Sequence, residues 1–74
     1  MIIYGSKDCP DTMACLAALD AQDTAYDFRD IGELPVLKEF LHYRDSEAVF
    51  APVRASGGIG IPLIVGDNGS LTLG

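Results

Sequence analysis

The sequence predicts an α/β domain built on a small mixed sheet, and three observations predict it. Short apolar runs rich in β-branched residues stand near both ends of the chain, at residues 1–4 and 61–65. Between them, apolar residues recur every three or four positions, the period of a helix. Near the C-terminus Gly66-Asp67-Asn68-Gly69 joins two apolar segments, a tight hairpin signal of the Asn-Gly kind.

Each element follows in turn. Met1, Ile2, Ile3 and Tyr4 read as a buried strand, broken by Gly5 and Ser6. From Pro10 onward Met13, Leu16 and Leu19 recur at three-residue spacing among Ala14, Ala17 and Ala18, an amphipathic helix of strong formers. Pro10 suits its first turn, where a missing N–H costs nothing. After a polar break at residues 22–24, residues 25–31 alternate apolar and polar as a second strand that Gly32 ends. Leu34, Val36, Leu37, Phe40 and Leu41 predict a second helix to about Tyr43, with Pro35 in its opening turn. Asp45-Ser46 followed by Glu47 is a fresh N-cap signal. Ala48, Val49, Phe50 and Val53 make a short third helical stretch, distorted or divided by Pro52. After a glycine-rich loop at residues 56–60, the run 61–65 is a strand beginning at a proline, and residues 70–73 are its hairpin partner. A right-handed crossover makes the first two strands parallel, and the hairpin adds two antiparallel ones.

The 74 residues make one domain with a modest core. A net charge of −6 with five scattered basic residues argues against nucleic acid and anionic membrane surfaces as partners. No apolar stretch approaches the ~20 residues of a membrane span. The chain opens directly on a strand, so no export signal is expected, and Cys9 and Cys15 are expected as reduced thiols in the cytoplasm.

The chemistry concentrates at Cys9. Strand gives way to helix within Tyr4-Gly5-Ser6-Lys7-Asp8-Cys9-Pro10-Asp11-Thr12, so Cys9 falls at a helix N-terminus. There the unpaired amides and the positive end of the helix dipole favour a thiolate. Such thiols titrate below the free value of roughly 8.5, and the thiolate is the nucleophile. Lys7 adds to this effect and the carboxylates of Asp8 and Asp11 oppose it; the helix terminus is expected to win. Thr12 is placed to donate its hydroxyl to the sulfur. Cys15 is not a second redox partner: six helical residues at ~1.5 Å each put the two Cα atoms about 9 Å apart, beyond the about 7 Å a disulfide tolerates. It reads as a small core residue.

On Cys9-Pro10-Asp11-Thr12, the preceding Lys7, the Ile61-Pro62 step and the closing Leu73-Gly74, the whole chain resembles the glutaredoxin branch of the thioredoxin fold. The stretch from Leu34 to Gly60 makes it similar to a bacterial glutaredoxin-related subfamily. The resemblance implies a thioredoxin-like three-layer fold, residues 1–74 forming one glutaredoxin-like domain. Its four-stranded mixed sheet would run second-first-third-fourth strand, and the family's C-terminal helix would be missing. It implies Cys9 as the catalytic nucleophile, Lys7, Pro10 and Thr12 as its surroundings, and Lys7, Ile61 and a cis Pro62 as the binding surface for glutathione. Thr12 stands where dithiol members carry a second cysteine, so the implied chemistry is a monothiol mechanism. Glutathione or a similar low-molecular-weight thiol serves as co-substrate, and no tightly bound cofactor is expected. The implied partners are small thiols and disulfide-bearing proteins, with the chain a monomer or weak dimer.

The alternative on the same fold is a non-catalytic module binding a thiol, a protein or an iron–sulfur cluster, although Pro10-Asp11-Thr12 does not match the Gly-Phe-Ser of cluster-binding monothiol members. His42 has no sequence cue bringing it to Cys9. The aspartates are too dispersed for a metal site, and Gly57, Gly58 and Gly60 lack the spacing of a phosphate loop.

Overall fold

The computed structural model describes residues 1–74. Strand β1 (Ile2–Gly5) leads into helix α1 (Pro10–Ala21), strand β2 (Asp27–Asp30) and helix α2 (Leu34–Ser46). A 3-10 turn (Ala48–Phe50) and a short helix α3 (Ala51–Ser56) precede the hairpin of β3 (Leu63–Val65) and β4 (Leu71–Leu73). The four strands form one sheet in the order β2-β1-β3-β4. β1 and β2 are parallel, with Ile3 opposite Phe28; β3 is antiparallel to both β1 and β4, with Ile3 opposite Ile64 and Leu63 opposite Leu73. Parallel pairing at one edge and a hairpin at the other is the mixed sheet that the order of elements predicts.

Side chains alternate across the sheet, so each strand feeds two layers. On one face Tyr4 and Leu63 meet Phe40 of α2 and Phe50 of the 3-10 turn, all at most 2% exposed. Phe40 and Phe50 stand edge to face with centroids 5.8 Å apart, and Tyr4 lies 6.2 Å from Phe40. Such pairs add to area burial because ring edges are positive and faces negative. The Tyr4 hydroxyl donates to Glu39 Oε1 at 3.0 Å, and Arg29 Nη1 donates to the same oxygen at 2.7 Å. That network ties β1 and β2 to α2. On the opposite face lie Ile3, fully buried, and α1.

The inward stripe of α1 differs from the expected one. Met13 is 45% exposed, whereas Thr12 and Leu16 are buried and Cys15 and Leu19 half-buried. Thr12, Cys15, Leu16 and Leu19 lie at i, i+3, i+4 and i+7, an equally good helical face; alanine and methionine on the other side make hydropathy alone a poor guide to its phase. The second helix also runs past Tyr43 to Ser46. The expected cap at Asp45-Ser46 is instead its last turn, where the Ser46 hydroxyl donates to the carbonyl of His42. Glu47 is the break, and Pro52 falls in the first turn of α3, where its ring is tolerated. β3 starts one residue after Pro62 rather than at Ile61. No helix follows β4 within these residues.

Gly60 has φ +89, and a Cβ there would stand 2.6 Å from Cε1 of Phe50. The loop before β3 therefore lies directly on the aromatic core. Gly60→Ala combines left-handed backbone strain of about 1–2 kcal/mol with displacement of a fully buried ring. Urea unfolding should show a loss of more than ~2 kcal/mol, a large share of the ~4–11 kcal/mol expected for a domain of this size.

Candidate active site

Cys9 is the N-cap of α1, with extended backbone at φ −97 and ψ 118, and Pro10 occupies the first helical position. Its amide donates to the Ser6 carbonyl at 3.0 Å, and its own carbonyl receives the Met13 amide at 3.1 Å. An N-cap normally offers a side-chain oxygen to the amides of the second and third helical residues. A thiol fills that role poorly, and a thiolate fills it well. The Thr12 amide, the Thr12 hydroxyl and the Asp11 amide accordingly hold the Cys9 thiol below its ordinary pKa, against partial burial and the Asp11 carboxylate. The helix terminus prevails over the nearby acid, as the sequence predicts.

Thr12 is completely buried, and its Oγ1 accepts the Ser6 amide at 3.3 Å, which leaves its hydrogen for the sulfur. A Cβ on Gly5 would come within 2.6 Å of Thr12 Cγ2. The end of β1 and the first turn of α1 thus touch with no room for a side chain between them.

The sulfur opens on a groove of about 430 Å³ lined by Ser6, Asp8, Cys9, Ile31, Gly32, Leu37, Ile59 and Ile61. It lies at the carboxyl ends of the parallel strands β1 and β2, the end at which open α/β sheets receive ligands. Of the residues singled out in the sequence, Cys9 and Ile61 meet across this groove. Pro62 is buried behind Ile61, and the peptide bond between them is cis. Lys7 is exposed, forms no ion pair and stands outside the groove wall. Cys15 is half-buried, and burial pushes its thiol up. Its sulfur faces Gly74 rather than the groove. His, Cys, Asp and Glu side chains nowhere gather in a group of three that could hold a metal ion. No helix is long and apolar enough to cross a membrane.

Sequence reasoning missed the rest of the groove wall beyond Ile61. Ile31 and Gly32 come from the end of β2, Leu37 from α2, and Ile59 from the loop before β3. Ile59 carried a signal, since an isolated apolar residue between glycines has no regular element to bury it; it is 56% exposed. The loop is nevertheless fixed. The Arg44 guanidinium donates from Nη2 and Nε to the Gly58 carbonyl at 2.6 and 3.2 Å. Arg54 Nη1 donates to the carbonyls of Arg44 and Glu47 at 2.6 and 3.0 Å, bracing the end of α2.

No protein-family model matches the chain, and no solved structure matches it. A protein of Haemophilus influenzae, described as an uncharacterized protein, is 40% identical over 73 residues, covering 97% of this chain and 85% of that protein. The chain belongs to the family of that protein. The match runs through nearly the whole chain, so both walls of the groove and the β1–α1 junction lie within the shared region.

Thr12→Val removes the hydroxyl while keeping the shape. Titration by thiolate absorbance should show the Cys9 pKa moving up towards the ordinary value, with Thr12→Ser close to wild type. The Ser6 amide also loses its acceptor in the valine variant, a cost of about 1 kcal/mol. Stability should carry the matching signature. A depressed thiol pKa stabilises the fold fully above the unfolded value, roughly 8.5, and not at all below the folded one. Wild type should therefore gain on Cys9→Ser as pH rises through that window, in denaturation series at stepped pH.

Proposed function

We propose that the protein is a thiol-disulfide oxidoreductase of glutaredoxin type on a thioredoxin-like fold. It acts by a monothiol mechanism on mixed disulfides of glutathione or another low-molecular-weight thiol. The observation that carries this reading is the Cys9 sulfur at the N-cap of α1, favoured as a thiolate by Thr12 and open to the groove that Ile61 borders. The strand order, with the thiol at the carboxyl end of the parallel pair β1 and β2, supports the same fold assignment.

The chemistry is two exchanges at one sulfur. The Cys9 thiolate attacks the small thiol's sulfur in a mixed disulfide. A bond forms between Cys9 and the small thiol, the substrate bond breaks, and the electron pair leaves on the client sulfur, which takes a proton from water. A second small thiolate then attacks the small-thiol sulfur held on Cys9. Cys9 departs as a thiolate, its charge again met by the Asp11 and Thr12 amides, and the two small thiols leave joined. The helix terminus serves both steps, since an anionic sulfur is first the nucleophile and then the leaving group. Cys15 takes no part, and Lys7 and Pro10 contribute at most surface charge and helix geometry at the thiol.

Turnover of a glutathionylated peptide by reduced glutathione tests the proposal. Wild type and Cys15→Ala should turn over alike, and Cys9→Ser should lose activity entirely. Activity that survives in Cys9→Ser, or wild type indistinguishable from the uncatalysed exchange, refutes it.

A further inference from the structure

The groove beside Cys9 is almost wholly apolar. Ile31, Leu37, Ile59 and Ile61 form its walls, and the one charged residue among its lining is the carboxylate of Asp8. No lysine or arginine lines it. Beside it Asp11 and Glu33 are exposed, as is one cation, Lys7, between the lining residues Ser6 and Asp8, and the whole chain carries a net charge of −6. Glutathione has two carboxylates and one ammonium group, and recognition of a carboxylate calls for guanidinium, ammonium or free amides. The Thr12 and Asp11 amides at the start of α1 act on the Cys9 thiol, whose thiolate they favour. The groove thus offers an anionic tripeptide little to hold and an acid to avoid.

Resting on the proposed exchange chemistry, we infer that the groove grips the polypeptide side of the mixed disulfide rather than the small thiol. Its occupant is an extended client segment whose cysteine is flanked by an apolar side chain and by neutral or cationic residues. Ile59 supplies the exposed apolar contact, 56% of its surface free, on a loop that Arg44 holds by two hydrogen bonds to Gly58. A fixed loop presents that contact without an ordering cost when a client arrives. Asp8 selects charge on the client: it repels acidic flanks and attracts basic ones. The steps at sulfur are unchanged. The small thiol's sulfur is attacked, the client's cysteine leaves as a thiolate and is protonated by water, and a second small thiol regenerates Cys9. What the groove sets is which mixed disulfide is brought to Cys9.

Three glutathionylated probes test this with the folded, reduced protein and glutathione as reductant: a pentapeptide with leucine and lysine beside its cysteine, one with glutamates there, and the mixed disulfide of glutathione with free cysteine. The Leu/Lys peptide should show a kcat/KM about 10-fold above the other two after correction for uncatalysed rates, the scale of one apolar contact in a pocket. Ile59→Ser should lose most of that preference, and Asp8→Asn should raise turnover of the glutamate peptide. Thermal unfolding and the pH profile of Cys9 alkylation serve as folding controls for both variants. Equal rates on all three probes, or the fastest rate on the glutamate peptide, overturn the inference and leave the oxidoreductase reading standing. No turnover of any probe overturns both.

Discussion

The contact between Thr12 and Gly5 is the constraint on which the site depends. A fully buried threonine in the first turn of α1 sits against a strand-terminal glycine with less than a methyl group of space between them. The Ser6 amide closes the junction by donating to the threonine hydroxyl. With β1 and α1 fixed at that point, residues 6–9 have little freedom, and Cys9 must stand at the helix terminus. The electrostatics of the sulfur follow from packing: the amides that favour its thiolate are aimed because the threonine beneath them cannot move.

The two faces of the sheet contribute differently. The Tyr4–Phe40–Phe50–Leu63 cluster is densely aromatic and wholly buried, and it forms the base under the loop before β3. Gly60 lies on Phe50, Arg44 grips Gly58, and Ile59 projects between them. The face under α1 is built from smaller contacts, with Cys15 and Ile64 only half-buried. One wall of the groove is therefore anchored in the core and the other in a tight turn. Neither wall needs to rearrange for the sulfur to be reached.

Much of this architecture was legible in the sequence because it is written in local signals. The parallel pair, the closing hairpin, the helix starting at Pro10 and the thiol at its cap each follow from residues close together in the chain. What was not legible depends on distant partners. Met13 and Thr12 are adjacent, and hydropathy favours methionine as the buried one. The structure buries Thr12 because its methyl and hydroxyl fit Gly5 and Ser6, a match that no periodicity reports. The Asp45-Ser46 signal misled for a related reason: serine serves a helix end as readily as a helix start, and its hydroxyl found the His42 carbonyl behind it. The Arg44 and Arg54 bonds join carbonyls with no distinguishing sequence, so they could not be read in advance, and the groove wall they hold was missed with them.

The same packing bears on the single thiol of the proposed chemistry. In the two-cysteine arrangement the position three residues after the nucleophile must be a reactive sulfur. In this chain that position has no exposed surface, and its oxygen accepts a backbone hydrogen bond at the strand end. Sulfur is larger than oxygen and a weaker acceptor. A cysteine there would lose the methyl that packs at Gly5 and leave the Ser6 amide poorly satisfied. Thr12 therefore does two jobs that a second cysteine would do badly, accepting the Ser6 amide at the junction and favouring the Cys9 thiolate. In the proposed chemistry a second small thiol must then come from solution, which accounts for a nucleophile left at the open lip of its groove rather than beneath it.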